Sequence, residues 1–166
     1  RFYNTEKNKN DVLNTAAISI IITSFIFASL FSIFKLNISD FTGISISYLS
    51  IVVWILVVDA LTVIPFAYLR LKGDAFKYSV IKIINVIIYF SLNIFLLIFL
   101  KDLSESYNFF QSIYFENFEV AYIFIANLIA SFVSLLLLIP FYFRINYQAN
   151  FKLLKKMLAY AFPILI

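Results

Sequence analysis

The sequence has no cysteine and no histidine, and only two glycines and three prolines. Without cysteine there are no disulfides and no thiolate metal sites. Without either residue, zinc centres and Cys/His or Ser/His catalytic pairs are also excluded within the chain. A chain with nothing to oxidise says nothing of its redox compartment. Charge is scarce as well: 13% of residues are charged, against about 25% in an average soluble domain. The net charge of +4 is not a nucleic-acid footprint, because the placement of basic residues matters more here than their number. No nucleic-acid partner, metal or cofactor is expected.

What the chain has instead is apolar surface. Of 166 residues, 63% are hydrophobic, against roughly 45–50% in soluble domains. Surface-to-volume scaling prevents a water-soluble fold of this size from hiding so much. An apolar solvent removes the difficulty, which predicts an all-α polytopic membrane protein. Apolar runs cover residues 13–34, 48–69, 79–100 and 120–143. Each reaches roughly 33–36 Å as a helix, enough for a hydrocarbon core of about 30 Å. Barrel strands would alternate apolar and polar residues, and these runs do not. A fifth run begins near residue 157. The chain opens at Arg1-Phe2-Tyr3 and stops inside that fifth run, which reads as an internal piece of a longer polypeptide, a single incomplete membrane domain over residues 1–166.

The connections alternate in charge. Ten of the thirteen basic residues fall in one set: Arg1, Lys7, Lys9, Arg70, Lys72, Lys77, Arg144, Lys152, Lys155 and Lys156. The other set, residues 35–47 and 101–119, holds Lys35 and Lys101 against Asp40, Asp102, Glu105, Glu116 and Glu119. The positive-inside rule makes residues 1–11, 70–78 and 144–156 cytoplasmic. The aromatics of the longest outer connection, Tyr107 to Phe115, read as interfacial anchors. Residues 151–160 set Lys152, Lys155 and Lys156 beside Leu153, Leu154, Met157 and Leu158, as a basic amphipathic elbow on a leaflet surface does.

Asp59 is the most informative residue, near the middle of the second span. An unpaired carboxylate there costs about 2.5–3.5 kcal/mol on insertion scales, so it faces a bundle interior or a wet cavity. Thr62 shares its face, and Pro65 follows, removing a backbone donor and bending the helix. Asp59 either carries protons or a cation, or is a buried carboxyl hydrogen-bonded to a neighbouring helix. The third span has a polar stripe, Tyr78, Lys82, Asn85, Tyr89 and Asn93, at i, i+3, i+4 spacing. It reads either as a wall of a translocation cavity or as interhelical glue, with Lys82 also able to snorkel to the interface. Thr15, Ser19 and Thr23 in the first span, and Asn127, Ser131 and Ser134 beside Ala126 and Ala130 in the fourth, read chiefly as close-packing faces. There is no paired-carboxylate motif, phosphate-cradling glycine loop or metal-ligand spacing, so an enzyme is not expected.

Four segments, in order, resemble bacterial polysaccharide flippases of the multidrug/oligosaccharidyl-lipid/polysaccharide (MATE-like) transporter superfamily. Arg1-Phe2-Tyr3 and the charged stretch after it are similar to the family's second cytoplasmic loop region. The run Asp59-Ala-Leu-Thr-Val-Ile-Pro65-Phe-Ala-Tyr-Leu-Arg70, with the basic turn to Lys77, resembles the end of the fourth helix. Ala126–Ser131 resembles the sixth, and Tyr160-Ala161-Phe162-Pro163 the opening of the seventh, with Ala161 where the family usually has Gly. The resemblance implies most of an N-terminal lobe, helices three to six and the start of seven, working by alternating access. It also implies flipping of a polyprenyl-diphosphate-linked oligosaccharide across the bacterial inner membrane, with Arg70 and Lys82 toward the diphosphate and Asp59 as a coupling or structural carboxyl. Partners would then be the lipid-linked oligosaccharide, membrane lipids and a coupling cation, proton or sodium. Competing expectations are a cation-coupled multidrug exporter of the same superfamily, a membrane glycan polymerase or acyltransferase, and a non-transporting scaffold.

Overall fold

The computed structural model describes residues 8–115, 118–146 and 148–162. Arg1, Phe2, Tyr3, Lys7, Glu116 and Pro163, discussed above, lie outside them. Among the described residues all regular structure is helical. In chain order the elements are α1 (Lys9–Thr42), α2 (Ile46–Leu71) and α3 (Ala75–Ile94). A π-helical turn, Phe95–Phe99, leads from α3 into α4 (Leu100–Ser106), and α5 (Asn108–Gln111), α6 (Glu119–Tyr142) and α7 (Phe151–Ala161) follow. Four helices, α1, α2, α6 and the continuous Ala75–Ser106 stretch, are long and apolar enough to cross a membrane. The chain is an all-α polytopic membrane protein.

The helices outrun their apolar stretches. Helix α1 continues past residue 34 to Thr42, carrying Lys35 and Asp40 on its last turns rather than in a loop. Hydropathy falls off before helix propensity does, so the hydrogen-bond ladder persists until a residue that can leave it. That residue is Gly43, in the left-handed region at φ 69°, whose N–H donates to Ser39 O at 2.8 Å. At the other end of the molecule the chain turns between α2 and α3 at Gly73 (φ 72°). Residues 101–106, expected in a connection, are helical for the same reason.

α2 and α6 form the central pair and run parallel: Tyr48 meets Phe118 near their starts (ring centroids 6.0 Å), and Tyr68 meets Phe141 near their ends (5.1 Å). Ala126, Ala130, Ser134 and Leu138, four apart on α6, are all buried. Small residues at that spacing let two backbones approach in a solvent that offers no hydrophobic drive of its own. α1 packs on α2, and α3 packs antiparallel on α6, while α2 and α3 touch each other far less. They meet at one end, where Phe66, Ile81 and Leu138 form a buried cluster with Leu69 and Tyr78 against it.

Pro65 lies inside α2, which is unbroken around it. Proline has no N–H, so the carbonyl four residues back, Leu61 O, loses its helical donor. In lipid such a group has no water to turn to. The Tyr142 hydroxyl, at the end of α6, donates to Leu61 O. One tyrosine thus both satisfies the carbonyl and ties α2 to α6.

α7 follows on α1. Asn150 caps it, its side chain accepting from Leu153 N–H at 3.1 Å, and its own N–H donates to the buried Thr15 hydroxyl at 3.1 Å. Leu153 is buried, while Phe151, Leu158 and Phe162 are exposed. α7 runs through residue 157 without interruption.

Candidate functional site

Because α2 and α3 converge only at one end, a cleft of about 390 Å³ opens between them, with α6 as its back wall. α2 contributes Asp59, Thr62, Val63, Phe66 and Arg70, which recur at helical spacing and so share one face. α3 contributes Tyr78, Lys82 and Asn85, and α6 contributes Asn127, Ser131 and Ser134. Of the polar residues singled out on the second and third spans, Asp59, Thr62, Arg70, Tyr78, Lys82 and Asn85 therefore meet in one space.

Tyr89 and Asn93 are not in its lining. The Asn93 amide donates to its own helix at Tyr89 O, 2.8 Å away. The π turn begins two residues later, at Phe95, so the polar stripe on α3 ends where the helix changes its winding.

Each charged group is held by an identifiable contact, with one exception, and so are Thr62, Asn85 and Ser134. The Asn85 amide donates to the Ser134 hydroxyl at 3.0 Å, and that hydroxyl donates to Ala130 O at 3.1 Å. Thr62 donates to the Asp59 backbone carbonyl at 2.8 Å. Lys82 Nζ sits 4.5 Å from the Phe66 ring centroid, and Arg70 Cζ 5.5 Å from that of Tyr78. Both cations are thus steered by aromatic faces, within the range where a ring quadrupole attracts a cation. The Asp59 carboxylate is the exception. Among the described residues it makes no ion pair, the sole salt bridge being Lys77–Asp74, and its hydroxyl neighbour Thr62 donates to the backbone instead.

The stripe on α1 lies elsewhere. Thr15 holds α7, Thr23 donates to Ser19 O at 2.9 Å, and the Ser19 hydroxyl is buried without a partner. Conversely, Asn127, Ser131 and Ser134, which the sequence presents chiefly as a packing face, do both things at once. Ser131 and Ser134 are buried and line the cleft, because a short side chain that lets a neighbour approach also leaves space on its other flank. Among the described residues, no group of three or more acidic, His or Cys side chains could hold a metal ion. Compared with protein-family models, curated proteins and solved structures, the chain matches none.

Chemically the cleft offers two cations, one unpaired carboxylate, two amides and several hydroxyls inside a bundle whose exterior is apolar. Such a space is not stable dry. It must hold water or a polar ligand.

Proposed function

We propose that this protein is a transporter that flips polyprenyl-diphosphate-linked oligosaccharide across the bacterial inner membrane for polysaccharide synthesis. In this reading it is a polysaccharide flippase of the MATE-like superfamily, its four spans corresponding to helices three to six of the N-terminal lobe. The single observation that carries the reading is the gathering of Asp59, Arg70, Lys82, Asn85 and Asn127 in one cleft between membrane-crossing helices. Sugars need a wet wall of amides and hydroxyls, and a diphosphate needs cations, for which Arg is well shaped. Arg70, Lys72 and Lys77 cluster where α2 turns into α3. That end is cytoplasmic by the positive-inside rule, so the cations stand where a substrate made on the inner leaflet would enter.

A second reading is favoured by one feature, the unpartnered Asp59 carboxylate: a cation-coupled drug exporter would use it as its proton or sodium site. The two separate in a strain lacking the intact gene. The flippase reading expects loss of surface polysaccharide with build-up of lipid-linked oligosaccharide in the membrane. Complementation with Asp59→Ala should restore the protein to the membrane but not the glycan to the surface. Normal levels of both pools in the deletion strain, together with drug hypersensitivity, would replace the flippase by the exporter.

A further inference from the structure

A second, smaller pocket lies at the basic end of the bundle, outside the cleft. About 180 Å³ of half-open space lies where the start of α1 meets the ends of α2 and α6, several times the ~30 Å³ a water occupies in the liquid. Its polar lining is Asn10 and Asn14 from α1, Tyr68 from α2, and Arg144 and Asn146 just after α6. Among the described residues no carboxylate lines it. Lys72 Nζ lies 4.8 Å from the centroid of the Tyr68 ring, adding positive charge at the rim.

Asn14 marks the pocket as more than a surface dent. It is 7% exposed, it lines this space, and its amide makes no hydrogen bond among the described residues. Ser19 Oγ, and not the Asn14 amide, is the fully buried unpartnered group among the described residues, so the amide is still reached through the pocket and is free to bond what occupies it. The groups around it can all donate: asparagine amides and a tyrosine hydroxyl, which also accept, and the donor-only Arg144 guanidinium, which makes no ion pair among the described residues. They converge from three separate elements, not from one plane. A tetrahedral oxyanion satisfies such a set better than a flat carboxylate, with Arg144 taking two of its oxygens.

We propose that this pocket binds a phosphoryl group, seated on Arg144 and the Asn14 amide. The proposal does not depend on what the cleft transports. The phosphoryl group has two sources, the phosphodiester of an anionic lipid headgroup or a free phosphate, and the test separates them. The full-length protein is placed in nanodiscs of phosphatidylcholine alone or with phosphatidylglycerol, and lipid retention is read by native mass spectrometry. In the phosphatidylcholine discs, binding of inorganic phosphate is titrated calorimetrically. Wild-type protein should hold one of the two probes. Arg144→Gln, on an exposed side chain, should weaken that binding about tenfold or more, as loss of a charge-assisted hydrogen bond implies. Asn14→Leu should weaken it as well. Lys155→Gln on α7 should leave it unchanged. Retention of phosphatidylglycerol identifies the lipid source, and binding of inorganic phosphate alone identifies the soluble one. Failure of both probes, or an equal loss in Lys155→Gln and Arg144→Gln, would overturn the proposal, the latter because diffuse surface charge would then suffice.

Discussion

The two flanks of α2 carry spaces of nearly equal size and opposite chemistry. Toward α3 lies the cleft of about 390 Å³, lined by charged and amide side chains; toward α1 lies a groove of about 380 Å³, lined by Ile21, Phe25, Ala28, Trp54, Val57 and a few serines. Among the described residues the groove carries no charged or amide side chain, and of its serines Ser32 spends its hydroxyl on Ala28 O at 2.9 Å, so lipid tails can cover this face at far smaller cost than the cleft. The cleft has no such option, because the Asp59 carboxylate and the Lys82 and Arg70 cations cannot be satisfied by their own helices. Volume alone therefore does not mark a functional space in a membrane protein. What marks it is polar capacity left over after local hydrogen bonding.

The largest test of this contrast uses the absence of cysteine, since any thiol introduced into this sequence is the only one in it. Val63 in the cleft is 51% exposed and Phe25 in the groove 74%, so bare accessibility favours the groove. In membranes the order should reverse. Val63→Cys should react with a charged thiosulfonate reagent about a hundredfold faster than Phe25→Cys, the factor corresponding to the ~2.5–3.5 kcal/mol cost of a charge at the bilayer centre. Equal rates at the two positions would erase the distinction between wet cleft and lipid-filled groove.

Much of this architecture is readable in one dimension because the bilayer imposes a length and a polarity on each helix. Four spans follow from run length, and the grouping of Asp59, Thr62 and Arg70 follows from helical spacing. What lies beyond such reading is pairwise and distant. Nothing local to Pro65 names Tyr142, 81 positions from Leu61, as the donor to the carbonyl it frees. Nothing in the pattern of Asn85, Tyr89 and Asn93 announces that the stripe stops at a π turn. Helix ends such as Thr42 are set by a glycine able to take positive φ, whereas hydropathy marks only where the lipid ends. The double use of Ser131 and Ser134, for close approach and for lining, depends on how far α3 stands from α2.

The middle of the scale belongs to the strut between the flanks. Tyr142→Phe removes the donor to Leu61 O and should destabilise the bundle by roughly 0.6–1.7 kcal/mol, the span measured for hydrogen bonds between membrane helices. Pro65→Ala restores the missing N–H, and in that background Tyr142→Phe should cost far less. Unfolding in mixed micelles, carried through the full double-mutant cycle, measures the coupling. Additive effects of the two substitutions would show that the hydroxyl does not stabilise the bundle through the proline's orphaned carbonyl.

The smallest effect lies at the turn that joins the cleft's two walls. Asp74 caps α3, accepting from Lys77 N–H at 3.4 Å while its other oxygen stands 3.0 Å from Lys77 Nζ. The hydrogen bond to the Lys77 side chain, aided by the backbone bond and by the charges of Lys77 and Lys72, holds the carboxyl below its ordinary value. A group whose folded value is depressed stabilises the fold above its unfolded value, and that contribution disappears as pH falls through the folded one. The pair is solvent-exposed and therefore weak. Asp74→Asn keeps a competent cap while deleting the charge. Wild-type and variant should therefore differ slightly in thermal midpoint near neutrality and converge in acid, below the carboxylate range. A difference that survived full protonation would belong to the geometry of the cap and not to its ionisation, and the turn would then join α2 to α3 without help from charge.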